Sequence, residues 1–323
     1  MVVLEDAAKP GMLTDIGKFT ALALLLCLLV TGLPVLSFLT LALCPLPILL
    51  ITARQGVKAG FAGISILGVI LVLLIGIIKT IPLLVILAFF GLVYLYEVKG
   101  STSFAHALVA GAAIVTISLV LLGYLTYQTK KTNIVTEQVK GLKKDLANLH
   151  KEYVKQGISE EQIEEQFQAI DESLGILPKI IPATVLIFSA WIAFLNLILS
   201  GLVLKRLNKM VLARPVFKHW QFPWYFAWGY IIGLVGTFFS PYLGVYQEIG
   251  RIVGMNFLVV FNLLFLVQGF AIIYFYFEKF KIKSYIRALV VGILIVIPLA
   301  SPLIAWLGLL DVWFNFRKIP SES

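Results

Sequence analysis

The stretch SFAHALVAGAAIVTISLVLLGYLTY, residues 103–127, contains no Asp, Glu, Lys or Arg. A helix crosses the hydrocarbon core of a bilayer in about 20 apolar residues, so this segment is long enough to span. The composition then changes abruptly: residues 128–180 are polar, with eight lysines against nine acidic residues. Further apolar stretches recur on both sides of that polar insert. A backbone in lipid must satisfy its own hydrogen bonds, and these stretches are too continuous for the alternating strands of a barrel, so the spans are helices. The expected fold class is all-α: a polytopic helical membrane protein of about eight to ten transmembrane helices with an inserted soluble αα-hairpin.

Composition agrees. Hydrophobic residues make up 60% of the chain and charged residues 13%, against roughly half and a quarter in soluble domains; the mean hydropathy is +0.98. The net charge is +9. Its basic residues fall between apolar segments, where the positive-inside rule accounts for them, so the expected partner is the lipid bilayer and not nucleic acid. Two cysteines, Cys27 and Cys44, both in apolar stretches, give neither a disulfide framework nor a metal-ligand spacing. The start of the chain carries Glu5, Asp6 and Asp15 beside Lys9 and Lys18. It lacks the basic start and small-residue cleavage site of a signal peptide, and an uncleaved chain is expected.

The chain reads as three blocks. Residues 1–127 form an N-terminal membrane block with spans at about 19–33, 36–53, 59–78, 81–97 and 103–127. Gly32 and Pro34 in VTGLPVLS mark a turn, which makes 19–53 either a tight hairpin of short helices or one broken helix. Residues 128–180 form the hairpin. Leu142, Leu146, Leu149 and Tyr153 line one helical face, Gly157 ends it, Ser159 opens a capping box with Gln162, and Ile163, Phe167, Ile170 and Leu174 line a second face. The first helix is rich in lysine and the second in acid, which favours antiparallel pairing; each exposed pair contributes only about 0–1 kcal/mol. Residues 181–323 form a C-terminal membrane block with spans at about 182–204, 223–243 and 252–277. The stretch 284–316 is long for one span and short for two, with Pro298 and Pro302 at its middle.

The loop 205–220 holds Lys205, Arg206, Lys209, Arg214 and Lys218 with no acid. This places it, and the N-terminus, in the cytoplasm, with the hairpin outside.

No GxxxxGK[ST], HExxH or GxSxG motif is present, so the chain is expected to be neither an ATPase nor another enzyme, and to need no cofactor or metal. Polar residues inside spans are the better lead. Asn196, Asn256, Asn262 and Gln268 lie in such segments. Asn262 and Gly269 share a helical face, and Gln268 is turned by about 120° from Asn262. They line a polar pocket for a small solute, or they hydrogen-bond between helices while Gly269 permits close approach. Gly56, Gly60 and Gly63 in GVKAGFAG read as a small-residue packing face. Trp220, Trp224 and Trp228 fall at a four-residue spacing after the basic loop, as in an aromatic belt, with Pro223 in the first turn of a new helix. In LGLLDVWFNFRK, Asp311 interrupts an apolar run. Buried, it needs a basic partner such as Arg317 or Lys318. The preferred reading puts it at the interface, with the aromatics anchoring and the acid–base pair facing headgroups.

KHWQFPWYFAW, FNLLFLVQGFAIIYF and LGLLDVWFNFRK together resemble the YybS-like membrane family (domain of unknown function 2232), through Trp220 with Pro223, Asn262 with Gln268–Gly269, and Gly308, Asp311, Phe316 and Arg317. Asn315 stands where an acid is expected. That resemblance implies a bacterial plasma-membrane protein. Its membrane region is similar to the substrate-binding S components of energy-coupling-factor transporters, and CPLPILLITARQGVKAGFAG resembles their second-to-third helix junction; KFTALALLLCLLV lacks the AxxxA spacing those components often use. This implies a solute-binding membrane subunit that relies on ATPase and transmembrane coupling subunits. The alternative is a non-catalytic scaffold or envelope-assembly protein acting through its hairpin.

Overall fold

A computed structural model describes residues 11–95, 103–156, 160–297 and 300–319; within these, the side chains of 34–36, 134 and 160–163 are not described. In chain order the helices are α1 Met12–Gly32, α2 Pro34–Leu43, α3 Leu46–Gln55, α4 Val57–Ile75, α5 Ile77–Ala88, α6 Phe104–Lys130, α7 Ile134–Lys155, α8 Glu160–Ile176, α9 Ile181–Arg206, α10 Phe226–Phe238, α11 Gln247–Lys279, α12 Ser284–Val296 and α13 Ala300–Phe314. No strand occurs among the described residues, and the fold is all-α. Six helical segments are long and apolar enough to cross a membrane, and a seventh is reached if the bent pair α12–α13 counts as one span. Two further apolar helices, Ile77–Val93 and Phe226–Phe238, are shorter, which is where a reading of eight to ten spans and a count by length diverge.

The chain divides into two units, Met1–Gln138 with Val185–Ala213, and Val139–Thr184 with Arg214–Ser323. This division runs differently from three consecutive blocks: most of α9 returns to the N-terminal helices, and α8 belongs with the C-terminal ones.

The first unit resolves the two alternatives for 19–53 as a hairpin. The α1 helix ends at Leu33, and the Gln55 amide at the end of α3 donates to the Asp15 carboxylate at the start of α1 (2.9 Å). The Arg54 guanidinium lies over the Phe19 ring. Glycines punctuate the rest of the unit. Gly56 (φ 95°) separates α3 from α4 and Gly76 (φ 80°) separates α4 from α5, conformations that glycine adopts without the penalty of a side chain. The core is aliphatic and aromatic, built on Ile48, Leu67, Leu87, Phe90 and Tyr94 with Ile192 and Leu197 of α9.

In the second unit, α7 and α8 pair antiparallel. Lys143 Nζ is 2.7 Å from the Asp171 carboxylate, and His150 Nε2 is 3.3 Å from that of Glu164. The apolar faces are only partly covered: Leu146, Phe167 and Leu174 are half-buried, whereas Leu142, Leu149, Tyr153 and Ile170 stay exposed. Two helices alone cannot enclose a core. Gly157, Ser159 and the Gln162 side chain, which carried the expected turn and capping box, lie outside the described residues. The long α11 packs against α10 and α13 through glycines. Gly236 of α10 meets Gly254 of α11 backbone to backbone, and a Cβ on Gly233 would lie 2.8 Å from the Leu258 nitrogen. On the other side, Gly269 of α11 and Gly308 of α13 each sit where a Cβ would strike the opposing backbone, at Ile304 and Phe265. Helices α12 and α13 meet at 109°; Pro302 stands in the first turn of α13, and Pro298 lies outside the described residues.

Candidate functional site

Asp311 is at the last turn of α13. The helix stops at Phe314, Asn315 takes a positive φ of 41°, and the chain folds back so that Arg317 meets Asp311. Their ion pair is 2.7 Å long with both side chains at zero exposure. This corrects the interfacial reading, in which the pair faced headgroups. Lys318, the other base that the sequence offers as a partner seven residues on, lies beyond the end of the helix at Phe314. The carboxylate accepts four hydrogen bonds. Oδ1 accepts the Phe316 backbone N–H (2.9 Å), and Oδ2 accepts Arg317 Nη2 and Nε and the Gln268 amide (3.2 Å). Arg317 also donates to the carbonyls of Lys218 (2.7 Å) and Trp220 (2.9 Å), and the Phe222 N–H donates to Gln268 Oε1 (3.0 Å). Beside this cluster Lys218 pairs with Glu278 at 2.6 Å, and the Tyr276 hydroxyl donates to the Phe316 carbonyl.

Three segments distant in sequence are thereby tied together: the basic loop, α11, and the turn after α13. A buried charge is tolerated when it is paired and its remaining polar atoms are hydrogen-bonded, and here they are. Four hydrogen bonds on one fully buried carboxylate, three of them on Oδ2, tie these segments to each other, the arrangement of a clamp. It also explains why α10 starts later than the sequence suggests. Residues 220–222 are held extended by Arg317 and Gln268, so Trp220 and Trp224 do not share a helical stripe with Trp228, and Pro223 precedes the helix instead of lying in its first turn.

The other sequence candidates separate. Asn196 is buried in the first unit and donates to the Ala42 carbonyl (2.7 Å) while accepting from Ser200; it joins α9 to α2. Asn256 accepts from the Ala183 N–H and donates to the Lys179 carbonyl. Asn262 is half-buried and makes no hydrogen bond among the described residues. Gln268 and Gly269 are both buried, the first in the clamp and the second against α13. Within the second unit Gln268, Asp311 and Arg317 meet in the clamp, Gly269 packs against α13 and Asn262 takes no part in either; Asn196 belongs to the first unit. Gly60 and Gly63 are packing glycines: a Cβ would strike Thr52 and Leu92 at the first and meet Ile51 at 3.0 Å at the second. Gly56 is not, since it forms the break between two helices with open space around it.

A cavity of about 880 Å³ lies elsewhere, wholly within the first unit. Its buried wall is apolar, formed by Leu41, Pro82, Leu83 and Ile86, with Ser118 as the one buried hydroxyl. Its exposed wall is polar and includes Lys79, Thr129, Lys130, Glu137 and Gln138. The break at Gly76 opens it, because α4 and α5 do not continue as one rod. Sequence reasoning missed this site; the available signal was Lys79 alone in an apolar block, just after a glycine break and before Pro82.

Comparison with known proteins agrees with this architecture at the level of family. The chain is 24% identical over 291 residues to the uncharacterized protein YybS of Bacillus subtilis (strain 168), an alignment covering 90% of this chain and 92% of that protein. No solved structure matches. The model of the predicted membrane protein family DUF2232 matches residues 21–312, from α1 to the Asp311 clamp, and the chain belongs to that family.

Proposed function

We propose that the chain is a solute-binding subunit of the bacterial plasma membrane, resembling the S component of an energy-coupling-factor transporter and working with separate ATPase and transmembrane coupling subunits. The observation that carries this reading is the 880 Å³ cavity in the N-terminal unit. Its size is that of small-molecule sites, and an apolar wall with a few polar groups is their usual lining. The lack of a phosphate-binding loop in the sequence supports a division of labour in which other chains hydrolyse ATP. Loop charges support a cytoplasmic N-terminus and loop 205–220, with the hairpin outside. The test is purification from native membranes in mild detergent followed by native mass spectrometry. Co-purifying ATPase chains with a small bound mass are expected; a chain that comes away alone and empty overturns the proposal.

A second reading, an envelope scaffold, is favoured by one observation: Leu142, Leu149 and Tyr153 remain exposed on the hairpin, more apolar surface than a purely spacing hairpin needs. Deleting 132–178 while keeping the spans tests it, and unchanged partners and phenotype would sink it.

A further inference from the structure

The cavity of the first unit has a polarity that goes beyond its volume. Resting on the solute-binding reading above, we propose that its ligand is an anionic amphiphile: an apolar body seated against Leu83 and Ile86, and a phosphate or carboxylate head held between Lys79 and Lys130. Four observations converge on that class.

First, the lining is graded. The side chains at low exposure are almost all hydrocarbon, and the charged ones are exposed. A wholly polar solute would leave the apolar wall unmatched, and a wholly apolar one would gain nothing from the charged end. Second, the polar end is net positive: Lys79 and Lys130 stand against the single acid Glu137. Neither lysine has an ion-pair partner among the described residues. Third, the hydroxyls around the wall are already committed as donors. Thr31, Ser118, Thr126 and Thr129 each donate to a carbonyl of their own helix. The side-chain donors left for a ligand are therefore the two ammonium groups and the Gln138 amide. Fourth, Gly76, Ile77, Ile78 and Lys79, the first turn of α5, line the same cavity, and this helix start has no side-chain cap. Uncapped N–H groups at a helix start favour negative charge, and here they line the same cavity as the two lysines.

An anion with an apolar tail has two sources, a bilayer lipid with a phosphate headgroup or a water-borne amphiphile. The full chain in nanodiscs of uncharged phosphatidylcholine, probed with octyl phosphate and with octanol and read by native mass spectrometry, tests the shared chemistry. One octyl phosphate per chain is expected, with octanol retained at least about tenfold less well. Lys79→Gln with Lys130→Gln should weaken octyl phosphate by about tenfold, since each exposed charged contact contributes modestly. Lys131→Gln, next in sequence but not lining the cavity, should leave it unchanged. Filling the cavity with Leu122→Trp should abolish retention of any probe.

The failures are distinguishable. If octanol and octyl phosphate are held equally and the lysine pair is without effect, yet Leu122→Trp still expels both, the cavity binds but the anionic class is wrong. If no probe is retained by the native chain, this inference falls, while the solute-binding reading is decided by the mass that stays bound on purification from native membranes. If Lys131→Gln weakens binding as much as the lysine pair does, the attraction is a diffuse surface charge and the site is overturned. Nanodiscs doped with phosphatidic acid separate the sources. Retention of the diacyl lipid against excess octyl phosphate assigns a lipid headgroup, and its displacement assigns a soluble amphiphile.

Discussion

The two units treat polar groups in opposite ways. In the C-terminal unit the buried ion pair is answered on every side, although Thr237 Oγ1 on α10 is buried without a hydrogen-bond partner. Asp311 accepts four hydrogen bonds, Arg317 spreads over two backbone carbonyls and the acid, and glycines on three helices close the space between backbones. In the N-terminal unit the helices are broken at Leu33, Gly56 and Gly76, a cavity opens beside the last break, and two lysines on its wall form no ion pair among the described residues. A satisfied polar cluster inside a membrane protein holds a shape, whereas unpaired polar groups around a volume are what the proposed ligand site rests on. Position within a span did not separate these two cases; the number of hydrogen bonds each polar group makes did.

The largest test of the contrast is the clamp itself. Arg317→Ala leaves the Asp311 carboxylate buried and unpaired, which costs about 3–5 kcal/mol, to be read as loss of thermal stability of the full chain in nanodiscs. Replacing both partners with apolar residues, Asp311→Leu with Arg317→Met, should be milder than either single change, because no orphan charge remains. A double variant as damaged as the singles would mean that the pair acts through something other than mutual satisfaction.

The next contrast is steric. Gly308→Leu drives a side chain into the Phe265 backbone and should cost about 1–3 kcal/mol or more. Leu122→Trp adds bulk toward the cavity wall and should change stability by less than about 1 kcal/mol. Equal losses in the two variants would erase the difference between a closed unit and an open one.

The sequence carried the fold class because apolar length and charge placement are local properties, and they survive any packing. Of the five expected N-terminal spans, four fall on helices of membrane length, and the fourth in order, 81–97, falls on the shorter apolar helix Ile77–Val93. The amphipathic hairpin was legible, down to lysine facing acid. The features that depend on where a helix stops were not legible. Gly56 reads as part of a small-residue packing face with Gly60 and Gly63 until its positive φ shows it to be a break. Asp311 and Lys318 share a face only on a helix that runs on, and Asn315 ends it. The glycines that do close helices, Gly233 and Gly236 against Gly254 and Leu258, show their partner only once α10 and α11 are side by side. Of the candidate residues, Arg317 was one of two bases, with Lys318, that the sequence offered to a buried Asp311, and the interface was preferred for that acid, whereas Lys79 and Lys130, fifty-one residues apart, had no pattern to join them.

A smaller effect is expected at Asn196. Its amide is fully buried and joins the Ala42 carbonyl across helices. Interhelical hydrogen bonds in membranes are worth about 0.6 kcal/mol and at most about 1.7, so Asn196→Leu should lower stability modestly and leave octyl phosphate binding intact. A loss of binding would extend the ligand site to α9.

The smallest effect belongs to the hairpin. Lys143 and Asp171 are bonded at 2.7 Å, but both are well exposed, with side-chain exposures of 39% and 53%. Water and salt screen such a pair, and holding two long side chains in one geometry costs entropy, so its coupling should be at most about 1 kcal/mol. A double-mutant cycle of Lys143→Ala and Asp171→Ala, run at low and high salt, measures it. Coupling that disappears at high salt is the expected result, and it leaves the half-covered contacts of Leu146, Phe167 and Leu174 as what holds α7 to α8. Coupling of several kcal/mol that resists salt would instead mean that the pair is buried in the working protein, and the only way to bury it is for a partner to cover this face of the hairpin. The same cycle therefore weighs the scaffold reading without deleting the hairpin.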